Sequence, residues 1–519
     1  MRKWWPLVTV CLGTFMLLVD VTIVNVALPQ MAVGLDTSFS NLQWVVDGYA
    51  LSLGVVLLGA GALGDLFGHR SLYVVGLVVF ALSSAACGIS PNGGVLIAAR
   101  VVQGVGGAAM FTTTFALLGV SYQGRDRGTA FGIWGGVSGA ATAVGPVLGG
   151  LLTQGISWRW IFYVNVPISV VAIVLCFTVL GADRRRGGEG FDLLGTLAFT
   201  VFAAPLTLAV IRVGSVGWGS VQTWGLVVLS GLGLTAFALA EKHGRNAMLD
   251  LALLRNKSFV GILVAALLVN FAAFSALTYV SVWLQSVLGL SPIESGLTGL
   301  PMSACVFIAS ALGGRFLHDR SPRLAIGGGL LLVGAGSAAC GLMIGAGSDW
   351  TALMAGHVLI GLGVGFVMPI LSSTAMSSVP PQRGGMAAGA VTTARQLGFA
   401  IGIATLGTLF SSRAQTYLGA HGAPNPANTA RGLAGGQADR IIAAAPSDLR
   451  ETVSHALHGA AASGLDAGFL VAGGIGLLAG LLVLILVRPA PPREGGWGQG
   501  QGGGAGEAQE PADAAAVGL

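Results

Sequence analysis

The chain has 519 residues, and charged side chains make up 9% of them, against about 25% in an average soluble protein. Hydrophobic residues supply 54%, and the formal net charge is only +5. A soluble protein of this length needs far more charge to cover its surface. The composition therefore excludes a soluble enzyme and a nucleic-acid-binding protein, and it indicates a polytopic membrane protein.

Apolar runs long enough to span a bilayer recur along the chain. The first run follows Met-Arg-Lys as a signal peptide would, but it is too long and carries Asp20 in its interior. We therefore predict an all-α polytopic membrane protein with about 14 transmembrane helices, at roughly 7–29, 44–64, 72–89, 95–119, 129–153, 161–181, 193–213, 221–240, 258–283, 296–314, 324–346, 351–375, 386–410 and 467–487.

The basic residues predict how the chain is oriented in the membrane. Eighteen of the 26 Lys and Arg residues fall in the N-terminal segment and in every second connection after it, which lie on the same side of the membrane as the N-terminus. The short loops on the opposite side carry essentially only Arg159. Because cytoplasmic loops are enriched in Lys and Arg, both termini are expected to be cytoplasmic. The Arg-, Ala- and Gly-rich composition is typical of a GC-rich bacterial genome, so the expected location is the bacterial inner membrane.

A weak internal repeat divides the chain into related halves. Residues 98–108 resemble residues 355–365, with His357 opposite Arg100. Two related helical bundles are typical of transporters. The predicted organisation is an N-terminal six-helix bundle (1–190), an inserted helix pair (191–245) and a C-terminal six-helix bundle (246–488). The C-terminal bundle contains a long outer loop (411–466), and a disordered cytoplasmic tail (489–519) follows it.

The sequence offers no nucleotide, cofactor or metal site. A P-loop requires Gly-Lys-Ser/Thr, and neither Lys3, Lys242 nor Lys257 follows a glycine. The five cysteines lie singly in apolar stretches without metal or redox spacing. Transport by this chain would therefore use an ion gradient or a partner protein.

Asp20 and Arg100 are the deepest charged residues of the first bundle. A charge inside a spanning helix is costly and usually functional, so we expect Asp20 to exchange a proton and Arg100 to tune it. A static salt bridge that aligns two helices is the alternative. Gln103 lies one turn after Arg100 on the same helix face. His357 is either a titrating group or a hydrogen-bonded core histidine.

The loop between the second and third helices carries a recognisable pattern. Gly61, Asp65, Gly68 and Arg70 resemble the loop motif of the major facilitator superfamily. Its glycines permit a tight turn, and its charged residues can hold helix ends. The resemblance covers nearly the whole chain apart from the tail.

Further motifs resemble the fourteen-helix drug:proton antiporter family within that superfamily. They are Leu18 to Pro29 in helix one, Arg100 to Gly104 in helix four, Gly135 to Gly150 in helix five, Trp158 to Pro167 at the start of helix six, and Thr392 to Gly398. The resemblance implies proton coupling at Asp20 and Arg100, and a substrate pocket at Asn25, Gln103, Asn165, Arg395 and Gln396. It also implies gating by Gly61, Asp65, Gly68, Arg70, Gly135, Gly139, Gly145, Pro146 and Gly149.

These observations favour a proton-coupled antiporter that exports an amphipathic or hydrophobic drug or antibiotic. Its expected partners are protons, the small substrate and the lipid bilayer, with no nucleic acid, and the expected state is monomeric. A transporter of an ordinary metabolite on the same fold is an alternative. A membrane enzyme acting on lipid-linked substrates is disfavoured because no carboxylate or His-Asp cluster lies at a membrane face, and a non-transporting sensor stays open.

Overall fold

The computed structural model describes residues 2–37, 39–181, 192–216, 219–244, 251–316, 321–379 and 384–487. Regular structure in these ranges is helical and contains no strand, which confirms the predicted all-α class. Thirteen helices in the described ranges are long and apolar enough to cross a membrane. The glycine-rich α5 (Gly124–Gly155) is a further helix of 32 residues, so the structure agrees with about 14 spans.

The first seven helices form what we call the N-terminal bundle. Their buried apolar side chains make two clusters, which include Phe80 and Phe115 in one and Ile23 and Phe162 in the other. The helices are α1 (Trp5–Gly34), α2 (Phe39–Phe67), α3 (His69–Gly88), α4 (Gly93–Ser121), α5, α6 (Trp160–Tyr163) and α7 (Asn165–Val179).

Two helices follow, α8 (Leu193–Val216) and α9 (Val221–His243), and they pack against each other. A Cβ on Gly233 would lie 2.5 Å from the backbone of Val201, so glycine lets the two backbones approach closely. Phe199 and Phe237 join an apolar cluster with Leu58 of the N-terminal bundle and with Phe259 and Met386 of the second half of the chain, which places the pair against both bundles.

The remaining helices form the C-terminal bundle around one large apolar cluster. Its core is rich in Ala, Val and Leu, and glycines on α14, α15 and α19 allow close helix packing. The helices are α10 (Lys257–Phe274), α11 (Leu277–Val282), α12 (Pro292–Leu297), α13 (Leu300–Phe316), α14 (Pro322–Met343), α15 (Met354–Ser377), α16 (Gly384–Ala420), α17 (Pro426–Ala434), α18 (Ala438–Ala444) and α19 (Arg450–Leu486).

The range 411–466, expected to be an outer loop, is mostly helical. The 37-residue helices α16 and α19 extend into it from both sides, and α17 and α18 occupy much of the remainder. The full extent of these helices was not predicted, because hydropathy marks where a helix leaves an apolar medium, not where it ends. The outer position of this segment stays a prediction. Alanine-rich residues continue both helices beyond their apolar portions. The tail 489–519 lies outside the described residues.

Candidate functional site

Asp20 lies at the centre of a buried polar network in the N-terminal bundle. Its side chain is fully buried, and three residues donate hydrogen bonds to its carboxylate. Arg100 Nη1 lies 2.6 Å from Oδ2, while Gln103 Nε2 and Asn165 Nδ2 lie 3.1 and 2.8 Å from Oδ1. The structure thus joins four residues predicted from the sequence, and it draws them from α1, α4 and α7.

The Arg100 guanidinium has partners on several sides. Its Nε donates to the Val45 carbonyl at 3.1 Å, and Nη1 also donates to Gln103 Oε1 at 2.8 Å. The guanidinium carbon lies 4.0 Å from the centre of the Tyr49 ring, a cation–π distance. Because Arg100 is 1% exposed, these contacts replace hydration that the buried cation has lost.

Ser84 completes the network and was not predicted from the sequence. Its hydroxyl accepts from Gln103 Nε2 at 3.2 Å and from Asn165 Nδ2 at 3.0 Å, and it donates to the Phe162 carbonyl at 2.9 Å. A serine in an apolar helix gives no distinctive signal, because Ser often bonds within its own helix. Tyr49 was missed for a similar reason, since its role depends on how α2 crosses α4.

Gly104 explains why α2 comes close enough for Arg100 to reach the Val45 carbonyl. A Cβ on Gly104 would lie 2.0 Å from Ser52 Oγ and 2.6 Å from the Tyr49 carbonyl oxygen. Any larger residue would separate α2 from α4. The glycine one turn after Arg100 therefore sets the geometry of the charged pair.

The glycines predicted for gating on α5 contact two different partners. A Cβ on Gly145 would lie 1.8 Å from Thr22 Oγ1 on α1, next to Asp20. Gly135 and Gly139 instead face Ser310 and Val306 on α13 of the C-terminal bundle. The helix therefore touches the Asp20 region with one part and the opposite bundle with another.

Two predicted residues near this crossing have undescribed side chains. Asn25 and Pro146 lie on the helices α1 and α5, but their side chains fall outside the described part of the structure. Gly149 is buried on α5. The contribution of these three residues stays a prediction.

The predicted loop motif joins the two bundles at one end of the molecule. Asp65 Oδ2 accepts from the backbone N–H of Met386, at the start of α16, at 2.9 Å. Its Oδ1 lies 3.3 Å from His69 Nε2. A carboxylate at a helix N-terminus is favoured by the unpaired N–H groups and the helix dipole. Asp65 therefore holds α2 to a helix of the opposite bundle.

The other motif residues shape the turn and its contacts. Gly68 has φ +100°, a left-handed conformation that favours glycine. Gly61 is buried on α2. Arg70 Nη2 donates to the Phe177 carbonyl of α7 at 3.4 Å, with the guanidinium over the Phe177 ring at 5.2 Å. The motif thus packs α2 and α3 against neighbours within and beyond their bundle.

The same end of the molecule brings α4 against α15. A Cβ on Gly119 would lie 2.7 Å from Met376 Cε. Further in, a small pocket lies between the bundles, lined by Phe115, Ser372, Ala375, Ala388, Val391 and Thr392. The two bundles are therefore in contact at the end that carries the α2–α3 connection.

Arg395 and Gln396 lie on α16, where they form a second polar region in the C-terminal bundle. Arg395 Nε donates to Asn270 Oδ1 on α10 at 3.4 Å, and Asn270 is 6% exposed. Arg395 and Gln396 are both half-buried. The sequence motif that contains them gave no indication of Asn270 as a partner.

His357 is 2% exposed on α15, and hydrogen-bond geometry leaves both of its ring nitrogens without a partner among the described residues. The backbone of Thr298 is the polar group that interacts with this ring, so the titrating and the hydrogen-bonded core roles of His357 both stay predictions.

The profile of the Major Facilitator Superfamily matches residues 10–403. The chain belongs to this superfamily. It is 33% identical over 507 residues to the tetracenomycin C resistance and export protein of Streptomyces glaucescens, covering 95% of this chain and 93% of the relative. It is 35% identical over 407 residues to the multidrug resistance protein Stp of Mycobacterium tuberculosis, covering 78% and 75%.

Among solved structures, the proton:xylose symporter XylE of the major facilitator superfamily shares the fold. The TM-score is 0.61 at 13% identity, over 94% of this chain and 96% of that structure. These comparisons confirm the predicted family, and they show a multi-pass membrane transporter, not an enzyme. The relatives are resistance and export proteins for antibiotics and other drugs.

Proposed function

We propose that this protein is a proton-coupled antiporter of the bacterial plasma membrane that exports a hydrophobic or amphipathic antibiotic as a monomer. Both termini lie in the cytoplasm in this proposal, because the loops on that side hold 18 of the 26 basic residues. The names of the relatives support export of a drug over transport of a metabolite.

The observation that carries the proposal is the fully buried Asp20 carboxylate. Every described donor to it comes from within the N-terminal bundle, and Arg100 supplies the balancing charge at 2.6 Å. When Asp20 accepts a proton, the attraction to Arg100 falls and one acceptor oxygen becomes a donor. A proton on Oδ1 displaces the hydrogen bonds from Gln103 and Asn165, and a proton on Oδ2 displaces the hydrogen bond from Arg100.

The helix contacts can transmit that rearrangement to the opposite bundle. Gly145 of α5 touches Thr22, two residues after Asp20, and Gly135 and Gly139 of the same helix touch α13. With the termini in the cytoplasm, the Asp65 contact to Met386 closes the cytoplasmic side. In this proposal the contact of Asp65 with Met386 and the contact of Gly119 with Met376 break when the binding site opens to the cytoplasm.

The energetics of this exchange are adequate. A potential of 100 mV provides about 2.3 kcal/mol for each charge moved. One proton entering under that potential therefore supports about a 50-fold accumulation gradient of a neutral drug.

The direct test is a resistance panel in a host that lacks its own efflux pumps, with and without an uncoupler. We expect the parent chain to confer resistance to hydrophobic antibiotics and the uncoupler to remove it. Purified protein in proteoliposomes should move the same compound when a pH gradient is imposed. Resistance that survives the uncoupler, or transport indifferent to the gradient, would contradict proton coupling.

A further inference from the structure

Arg395 places a positive charge deep inside the C-terminal bundle. It lies 11 residues after the start of α16, and its partner Asn270 lies 13 residues after the start of α10. At 1.5 Å per residue these positions are about 16 and 20 Å along their helices. Both groups therefore lie inside the candidate membrane spans Met386–Ala420 and Lys257–Val287, away from the starts of those spans.

The two bundles differ at equivalent positions. Leu17-Leu18-Val19 precedes Asp20 on α1, and Leu267-Leu268-Val269 precedes Asn270 on α10. The position that is a carboxylate in the N-terminal bundle is therefore a neutral amide in the C-terminal bundle.

The helices that carry Arg100 and His357 support this register. Asn92 caps the start of α4 eight residues before Arg100, and Asp349 caps the short turn before α15 eight residues before His357. The repeat is thus aligned at helix starts as well as in sequence.

Arg395 consequently lacks the counter-ion that Arg100 has. Among the described residues no carboxylate lies within 4.0 Å of its nitrogens, and α10, α13, α14, α15 and α16 contain no Asp or Glu. A guanidinium stays protonated in proteins, and an uncompensated charge in a membrane interior is costly. A compensating negative charge would have to come from a bound molecule.

Arg395 lies one turn beyond a residue of α16 that faces the opposite bundle. Thr392, one turn earlier on the same face of α16, lines the pocket that Phe115 of α4 closes from the opposite bundle. Arg395 is half-buried although it lies deep in the span, whereas Thr392 is 1% exposed.

We propose that Arg395, positioned by Asn270, binds an acidic group of the exported compound, such as a carboxylate, phenolate or enolate on an otherwise apolar molecule. This inference rests on the proposed export function and narrows its substrate class. The planar guanidinium can donate two parallel hydrogen bonds to such a group. The Asn270 oxygen accepts from Nε, so the two terminal nitrogens keep their donors for a ligand.

The test compares one aromatic acid with its methyl ester. The purified full chain in detergent is titrated at pH 7.5 with anthraquinone-2-carboxylic acid and separately with the ester. The parent should bind the acid at least about 10-fold more tightly, the effect expected of a charge-assisted hydrogen bond. Arg395→Gln should lower the affinity for the acid to that for the ester and leave the ester unchanged.

Asn270→Asp provides a second variant that retains the arginine. The new carboxylate supplies an internal counter-ion, as Asp20 does for Arg100, so the preference for the acid should be lost while the pair is strengthened. Arg413→Gln is the matched control, because Arg413 is an exposed arginine on the same helix. It should leave both affinities unchanged.

Three results would overturn the inference. The first is that the parent binds acid and ester equally or binds neither. The second is that Arg395→Gln lowers the affinity for acid and ester equally. The third is that Asn270→Asp still binds the acid more tightly than the ester. If Arg395→Gln misfolds, Asn270→Asp decides. Uncoupler-sensitive resistance to a neutral compound is measured in parallel. If that resistance is present while the binding titrations show no preference for the acid, Arg395 is rejected as the anion site and drug export is not.

Discussion

The Asp20–Arg100 pair permits a test that separates coupling from structural support. Asp20→Asn retains the shape of the side chain but offers one acceptor oxygen where the carboxylate accepts from three donors. It also leaves the Arg100 cation buried without its counter-ion. Removing one partner of a buried pair costs about 3–5 kcal/mol, so this variant should unfold more easily. Arg100→Gln should cost a similar amount, because it strands the Asp20 carboxylate.

The double variant Asp20→Asn/Arg100→Gln removes both charges. Replacing a buried pair by neutral groups is often close to neutral in stability, so the double variant should be more stable than either single variant. A double loss near zero against two single losses of about 3–5 kcal/mol each corresponds to a coupling free energy between the sites of about 6–10 kcal/mol. The assay is thermal and denaturant unfolding of the three purified variants in the same detergent, alongside proteoliposome transport.

Stability and transport should diverge in that series. All three variants should lose uphill export, although the double variant regains stability. Asp20→Asn and the double variant lack the carboxylate that exchanges a proton, and Arg100→Gln lacks the cation that balances it. If the stable double variant still exports against a gradient in an uncoupler-sensitive manner, the pair is a static salt bridge. If the double variant is as unstable as the two single losses added together, the energetic account of the pair is wrong.

Two further substitutions test the contacts that link the site to the rest of the protein. Gly145→Ala should destabilise by about 1–3 kcal/mol through overpacking, because its Cβ would lie 1.8 Å from Thr22 Oγ1. Adding Thr22→Ala should recover much of the melting temperature and transport, and an unaffected single variant would show that the crossing adapts freely. Asp65→Asn should weaken the interaction between α2 and the N-terminus of α16 by about 0.3–1 kcal/mol. The rate at which maleimide labels a cysteine introduced by Ala388→Cys should then rise about two- to fivefold. Asp126→Asn, which removes the ion pair to Lys3, is the control, and equal labelling in both variants would contradict the role of Asp65.

The amino-acid sequence indicated the helices and several members of the charged network because these features are local. A spanning helix needs a continuous apolar run, and an isolated Asp or Arg within one is conspicuous. The partners that complete the network are not local. Ser84 and the Val45 carbonyl reach Gln103 and Arg100 only through the packing of α2, α3 and α4.

The contact between Asp65 and Met386 shows the same limit more strongly. The two residues are 321 positions apart in the chain. The loop pattern indicated that Asp65 would hold a helix end, but the N-terminus it holds belongs to the opposite bundle. Similarly, Arg395 was conspicuous in the sequence. That its partner is the neutral Asn270 follows only from the packing of α10 against α16.

The placement of charges also predicts how transport should depend on membrane potential. A monoanion leaving and one proton entering both move charge down an inside-negative potential. Each 100 mV therefore contributes about 4.6 kcal/mol, twice the value of 2.3 for one charge, whereas a neutral drug gains 2.3.

A dication exchanged for one proton would move net positive charge outward, against the potential, and would also face Arg395. Proteoliposomes held at fixed pH gradient and variable potassium-diffusion potential can measure this order. We expect the export rate of an aromatic acid to rise most steeply with potential. The logarithm of the export rate of a neutral antibiotic should rise about half as steeply. A divalent quaternary ammonium compound should not be exported. Efficient, gradient-dependent export of the dication would refute a pocket governed by Arg395, because that cation repels it and the described helices of the C-terminal bundle from α13 to α16 offer no carboxylate to offset the repulsion.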